Sequence, residues 1–326
     1  MLTLSEICER IEKMQAKLKE QELDGALFIY PIDVYYFTGT RQNASLWMPT
    51  EGAPFLMVRK SFARAKEESP LEDIRPFPPS KEFSTAIPEC ATKIGMTFDV
   101  TPVQQLHFYT KLLPGRSFVD IPAPYRALRS VKTSYELEQL KQSGTILCSV
   151  FEQVPQFLKI GMTELELAAE FELRLRKAGS EGYIRMRAFN QELFQGLAVS
   201  GGGATYGFFD GAVTGKGLSN ASPHGSSEEL LCENAPILMD YTGVYNGYIT
   251  DMTRIFVVGR LDDDMQHAFE TSLKIQNHLQ NALKPGAVCE DLFHQALAIA
   301  ESSGFGTNFM GMPGEQIGRA SCRERV

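Results

Sequence analysis

The sequence predicts an α/β (α+β) protein of two domains. Helix-like and strand-like segments alternate through roughly the first 125 residues, a Pro-bearing basic stretch follows, and the remainder contains two similar helical segments at a fixed offset. A chain of 326 residues is long enough for two such domains.

The elements follow in order. "LTLSEICERIEKMQAKLKEQ" has the spacing of an amphipathic helix over Leu4 to Gln21. "DGALFIY", Asp24 to Tyr30, is an apolar run short enough for a buried strand. "VYYFTG" comes next, then "PFLMVRK" (Pro54 to Lys60), which is also strand-like. "KSFARAKEES" has helical spacing, and "MTFDVTPVQQLHFYTKLL" reads as a strand followed by a helix. This βα alternation defines an α/β domain. "DIPAPYRALRSVKTS" reads as a linker, closing on Thr133-Ser134-Tyr135-Glu136, a capping-box pattern that opens the next helix. The boundaries that follow are 1–131 for the first domain and linker and 132–316 for the second.

The second domain contains an internal repeat. Phe157–Gly179 and Ala282–Gly304 each carry Leu-Lys-x-Gly, a helix, and a glycine eighteen residues after the first; the period is 125 residues. Each is preceded by a further helix, Tyr135 to Gln153 and Asp263 to Asn281. Amphipathic helices often end in Gly, which tolerates the left-handed cap, but a matched pair of helix pairs favours duplication. Eighty residues separate Gly179 from Gly259, whereas only twenty-two follow Gly304. The reading therefore expects the second copy to be incomplete. The last ten residues, "IGRASCRERV" (317–326), change composition abruptly and resemble a translated sequencing adapter. Their three arginines and one glutamate carry +2, which leaves −10 for the rest of a chain whose total is −8.

Composition narrows the function classes. Hydrophobic content of 43% and charged content of 22% are those of a globular protein. The net charge of −8 argues against a nucleic-acid partner. No apolar run approaches the roughly 20 residues that span a bilayer, and the N-terminus lacks a signal-peptide core. Six scattered cysteines without a Cys-x-x-Cys pair suit reduced thiols and predict a cytoplasmic location.

The chemistry concentrates in "DYTGVYNGYITDMTR", residues 240 to 254, which reads as a strand hairpin. Asn246-Gly247 is a two-residue turn signal. Centred there, the turn puts Asp251 opposite Thr242 and Asp240 two residues along the same face. Centred on Tyr245-Asn246, it puts the aspartates directly opposite each other. Either way both carboxylates share one side, about 5 to 8 Å apart at Cβ. Like charges so placed repel, and a divalent cation between them reverses the sign; dinuclear sites hold metals roughly 3.5 to 4 Å apart. Alternatively, one Asp caps a turn and the other pairs with Arg254. His224 lies sixteen residues before Asp240 in "SPHGSS", in a Pro-His-Gly turn that suits a pocket wall. There a neutral imidazole can hydrogen-bond a substrate carbonyl or the anion that develops from it.

Taken together, "LDGALFIYPIDVYYFTGT", "LRSVKTSYELEQLKQSG", "PHG", the Asp-x10-Asp pair, "NGYITDMTR" and "FVVGRL" resemble, in order, the creatinase/methionine aminopeptidase family of the pita-bread fold. The likeness is greatest to the Xaa-Pro aminopeptidase and Xaa-Pro dipeptidase (prolidase) branch. It implies a creatinase-type N-terminal α/β domain and a pita-bread catalytic domain with a pseudo-two-fold repeat, the second half incomplete here. It implies a metallopeptidase that uses two divalent ions (manganese, cobalt, iron or zinc) to cleave the bond before proline in short peptides, as a homodimer. By the same resemblance Asp240 binds one metal, Asp251 bridges both, His224 is the substrate-side histidine, and Thr253 and Arg254 play supporting roles beside the ligands. Trp47 and Tyr35-Tyr36-Phe37 are candidates for the pocket wall, with core packing the favoured reading.

The family's remaining histidine and two glutamates have no match. His267, His278 and His294 fall on helical stretches before the place where the ligand histidine belongs and read as surface or packing residues. Glu315 and Glu324 have no motif context. The expectation is therefore an inactive fragment that binds metal weakly and folds poorly around an open sheet edge. Where many members have Asp-x-Gly, this chain has Asp240-Tyr241-Thr242-Gly243, which puts the local turn geometry in question. A creatinase-like amidinohydrolase and a non-catalytic pita-bread binding module are the competing readings. Retention of both aspartates argues against metal-free variants.

Overall fold

The computed structural model describes residues 2–184, 187, 195–205 and 214–309. The chain divides into two units: residues up to Tyr135 together with Arg187 form the first, and the second begins at Glu136. The expected tail at 317–326, Glu315 and Glu324 lie outside the described residues.

In the first unit α1 (Leu4–Glu20) starts where the Thr3 side chain accepts from the Glu6 N–H, and it buries Ile7, Ile11, Met14 and Leu18, a single helical stripe. β1 (Gly25–Phe28) follows. The apolar "VYYFTG" run lies in a helix, α2 (Pro31–Thr38), because Pro31 presets its first turn and left-handed Gly39 ends it. Then come β2 (Ala44–Pro49), β3 (Phe55–Val58), α3 (Phe62–Glu68), β4 (Ile74–Pro76), α4 (Phe83–Ala86), β5 (Lys93–Met96), α5 (Val103–Leu112), β6 (Ser117–Asp120) and α6 (Pro122–Ser130).

The six strands form one sheet in the order β4-β3-β2-β1-β5-β6. β2 runs antiparallel to β1 and β3, and the other pairs are parallel. Strand alternation sends Ala26, Phe28, Leu46, Met48, Leu56 and Val58 to one core, which they share with Ile7, Phe37 and Tyr125. Leu27, Trp47, Phe55 and Met57 go to the other, with Phe83, Tyr109 and Leu113. Burial on both faces explains the near-continuous apolar runs. Trp47 is 1% exposed and Phe37 fully buried, so both act as core packing.

Arg187 joins this unit although it follows the second unit's first helices in sequence. Its Nη1 lies 2.5 Å from Asp33 Oδ1, and Nε and Nη2 lie 2.8 and 3.0 Å from the Asp99 carboxylate. Asp33 is fully buried and also accepts from Thr97 Oγ1 at 2.9 Å. Burial opposes the guanidinium charge, but the two carboxylates more than offset it and raise its pKa. The Tyr125 ring, 4.8 Å away, covers the cation.

The second unit opens on α7 (Ser134–Phe151), α8 (Val154–Phe157) and α9 (Glu164–Lys177). A three-stranded antiparallel sheet follows: β7 (Gly196–Ser200), β8 (Ile237–Tyr245) and β9 (Tyr248–Phe256), with β8 central. Leu147, Val150 and Phe151 of α7 and Leu167, Phe171 and Leu175 of α9 pack with Ile237, Met239 and Tyr241 of β8. A Cβ on Gly243 would stand 2.7 Å from the Ser143 carbonyl and 3.1 Å from Leu147 Cβ. The glycine in Asp-Tyr-Thr-Gly therefore serves close approach of α7 to β8 within a regular strand, and not a turn.

α10 (Asp263–Ala282) and α11 (Cys289–Ser302) follow. The first and last residues of α9 and α11 are each 125 positions apart. The flanking glycines match as well: Gly161 and Gly286 have φ of 87° and 90°, Gly179 and Gly304 of 100° and 84°. Of the residues α9 buries, Leu167, Phe171 and Leu175 correspond to Leu292, Ala296 and Ala300, which α11 buries. The periodicity of the sequence is thus a periodicity of structure. Among the described residues β9 is an edge strand, and no helix is long and apolar enough to cross a membrane.

Two stability predictions follow from this packing. Replacing Arg187 with Ala strands the buried Asp33 carboxylate and costs about 3–5 kcal/mol, read as a lower urea midpoint; Arg187→Lys recovers only part because it lacks the fork. Gly243→Ala overpacks the α7–β8 contact and costs about 1–3 kcal/mol, read in the same assay. A third concerns acid. The Lys93 N–H holds the Asp24 carboxyl below its ordinary range; desolvation opposes it, and the Thr92 N–H and hydroxyl add to the lowering. That contribution is fully present above the unfolded value of about 3.9 and is lost as pH falls through the lower folded value. Asp24→Asn should flatten the acid limb of the stability–pH curve without changing its neutral-to-alkaline limb.

Candidate functional site

The hairpin turn settles which of the two possible registers forms. Asn246 and Gly247 take φ of 48° and 77°, and Tyr245 faces Tyr248; this is the two-residue turn with both central residues left-handed, whose twist suits a hairpin. The turn is tied to neighbouring elements. Asn246 Nδ2 donates to Gln139 Oε1 at 2.8 Å, Gly247 N to Glu181 Oε2 at 3.0 Å, and the Tyr248 hydroxyl to Glu136 Oε1 at 3.3 Å.

In this register Asp240 faces Thr253, and Thr242 faces Asp251. Tyr241, whose ring lies 4.1 Å from that of Phe171, is fully buried on the helix side of β8. Strand alternation therefore places Asp240, Thr242, Asp251 and Thr253 together on the other side. Thr253 Oγ1 donates to Asp240 Oδ1 at 2.8 Å and fixes the direction of that carboxylate. Asp240 is half-buried and Asp251 exposed. Arg254 falls on the helix side, where its Nη1 donates to the Thr253 carbonyl at 2.8 Å and its guanidinium lies 5.9 Å from the Phe151 ring. The structure thus brings Asp240, Asp251 and Thr253 to one face and sends Arg254 to the opposite one.

His224 sits in a turn clasped from two sides. The Gly225 N–H donates to Thr214 O at 2.8 Å and Gly217 N–H to Gly225 O at 3.1 Å. Gly215 and Gly217 both have positive φ, and a Cβ on either would stand within 2.3 Å of this turn's backbone oxygens. Only glycine admits so close a crossing. On the other side Ser226 Oγ accepts from Ala198 N of β7 at 2.9 Å. The Ser227 N–H and hydroxyl both donate to Glu164 Oε2, at 2.9 and 2.7 Å.

As metal donors, Asp240 and Asp251 are of the right chemical type: two hard carboxylates on one face, one of them oriented by a hydroxyl. They supply part of a coordination shell. Among the described residues no group of three or more His, Cys, Asp or Glu side chains is placed to hold an ion. His267, His278 and His294 are exposed. His267 lies against Phe305, His278 hydrogen-bonds Gln295 at 2.7 Å, and His294 lies against Phe293. Glu164, Ser226 and Ser227 shape the site yet carry no sequence signal. Glu164 in "GMTELE" looks like any acid in a first helical turn, and the neighbouring Glu166 supplies the capping box with Thr163.

Comparison with known proteins bears on the fold and the family. The profile of the Creatinase/Prolidase N-terminal domain matches residues 10–131, and that of Metallopeptidase family M24 matches residues 138–324. An uncharacterized peptidase of Staphylococcus epidermidis is 25% identical over 324 residues, covering 95% of this chain and 83% of its own. Among solved structures, a Xaa-Pro dipeptidase from Bacillus anthracis superposes with a TM-score of 0.79 at 20% identity, over 94% of this chain and 80% of that one. An X-Pro aminopeptidase from Thermotoga maritima superposes with a TM-score of 0.72 at 22% identity, over 91% and 78%. The fold is therefore a creatinase-type N-terminal domain followed by a pita-bread domain, and with the second profile spanning more than half of its length the chain belongs to metallopeptidase family M24.

Proposed function

We propose that this protein is a metal-dependent peptidase of Xaa-Pro specificity, hydrolysing the bond before proline in short peptides. The observation that carries the reading is the hairpin face on which Asp240 and Asp251 stand together, with Thr253 oriented onto Asp240, in a chain of this metallopeptidase family. The Xaa-Pro specificity is supported by the dipeptidase and aminopeptidase named among the structural neighbours.

In this reading Asp240 and Asp251 would hold the two divalent ions, with Asp251 as the ligand shared between them. Such a pair supplies a water of lowered pKa and polarises the scissile carbonyl. Thr253 keeps Asp240 from rotating away. His224 hydrogen-bonds the substrate carbonyl and the charge that develops on it. Arg254, on the far side of the sheet, supports the strand through Thr253 and does not meet substrate.

The test is hydrolysis of Xaa-Pro dipeptides, of longer peptides beginning Xaa-Pro, and of creatine, each with Mn2+, Co2+, Fe2+ or Zn2+ and with a chelator. With a completed ligand set the expected result is metal-dependent cleavage before proline and none of creatine; cleavage insensitive to chelation, or of creatine alone, overturns the proposal. Asp240 and Asp251 supply only part of a coordination shell, so calorimetric Mn2+ titration of this chain should give weak binding that Asp240→Asn and Asp251→Asn abolish; a tight two-site isotherm overturns this. Thr253→Val should weaken binding by about 10- to 100-fold, as removal of a group that orients a ligand does.

A further inference from the structure

Glu164 is a buried carboxylate that neither metal binding nor substrate binding employs. It is fully buried at the first position of α9. Its Oε1 accepts the Ser200 N–H at 2.6 Å, and its Oε2 accepts the Ser227 N–H at 2.9 Å and the Ser227 hydroxyl at 2.7 Å. Among the described residues no cation pairs with it. The charge is held by these donors and by the positive end of α9.

The three partners lie on different segments. Ser200 ends β7, whose Leu197 pairs with Asp240. Ser227 is three residues beyond His224. Backbone bonds reinforce the junction: Leu165 N–H donates to Ser227 O at 3.0 Å and Glu164 N–H to Glu229 O at 2.9 Å. One carboxylate thus joins the helix start, the end of the strand beside Asp240, and the loop that carries His224. A surface loop ordinarily has no need of a buried charge, and a neutral side chain would satisfy fewer of these donors.

We infer that Glu164 is a positioning residue that sets the His224 turn against the sheet bearing Asp240. The inference rests on the reading of His224 as the residue that meets substrate. Glutamine at 164 keeps the size but turns an NH2 group toward either the Ser200 or the Ser227 N–H, so one donor loses its acceptor. Ser227→Ala removes a single bond and is the milder change.

Glu164→Gln and Ser227→Ala should be compared with His224→Ala in the full chain. Three measurements apply: hydrogen exchange, the His224 imidazole NMR signals, and kinetics on an Xaa-Pro dipeptide with Mn2+. Expected for Glu164→Gln is exchange at least about tenfold faster in residues 224–229, the effect of losing one hydrogen bond to a charged group. The His224 signals should shift, exchange in the β8–β9 hairpin should be unchanged, and Mn2+ binding should be retained. kcat should fall with KM little moved, as in His224→Ala, and Ser227→Ala should show the same pattern at smaller amplitude. Unmoved His224 signals in both variants, or equal loss of protection in loop and hairpin, overturn the inference. Shifted signals with His224→Ala leaving turnover intact uphold the positioning of His224 and instead overturn its role at the substrate.

Discussion

The arrangement of the second unit depends on the register of one hairpin. The turn at Asn246-Gly247 pairs Tyr245 with Tyr248, and every cross-strand neighbour follows from that pairing. Because side chains alternate, a slip of one residue exchanges the two faces of a strand. Such a slip on β8 would push Asp240 into the packing of Phe171 and expose Tyr241. The apolar face therefore locks the register as firmly as the turn does. Burial pushes the Tyr241 phenol pKa up, and Glu172 and Asp240 add to that effect, so the ring remains a neutral packing group beside a carboxylate. Gly243 completes the constraint by letting α7 rest on the β8 backbone.

Three buried or half-buried carboxylates are handled in three ways. Asp33 is matched by the fork of Arg187, a cation delivered from a distant part of the sequence. Glu164 is matched by N–H and O–H donors at a helix start. Asp240 receives a hydroxyl from Thr253 and otherwise shares its face with Asp251. The first two arrangements hold the backbone in place; the third sets two carboxylates together on the face of the sheet away from the helices. Fold alone does not specify activity, so the proposed metal chemistry rests on this pair of carboxylates together with the family to which the chain belongs.

Much of this organisation is legible in the sequence. Amphipathic spacing gives the helices, Asn246-Gly247 gives the hairpin, and the 125-residue offset gives a repeat that recurs in helix bounds and in left-handed glycines. These signals are local or periodic, and each residue carries its own conformational preference. The "VYYFTG" run is less direct, since in a short apolar segment periodicity does not separate strand from helix, and the flanking Pro31 and Gly39 decide it.

The sequence by itself determined the α/β class, the repeat, and the two aspartates on one side of a hairpin, although the stretch read as a linker holds helix α6. Only the tertiary structure decided which register the turn takes, that Arg254 lies away from Asp240, that Arg187 completes the charge of Asp33, and that Glu164 holds the His224 loop. The physical reason is range. Propensity and periodicity act over a few residues and are written in the chain, whereas the partner of a buried charge is whatever folding brings within about 3 Å, and in this protein that partner stands as far as 154 positions away.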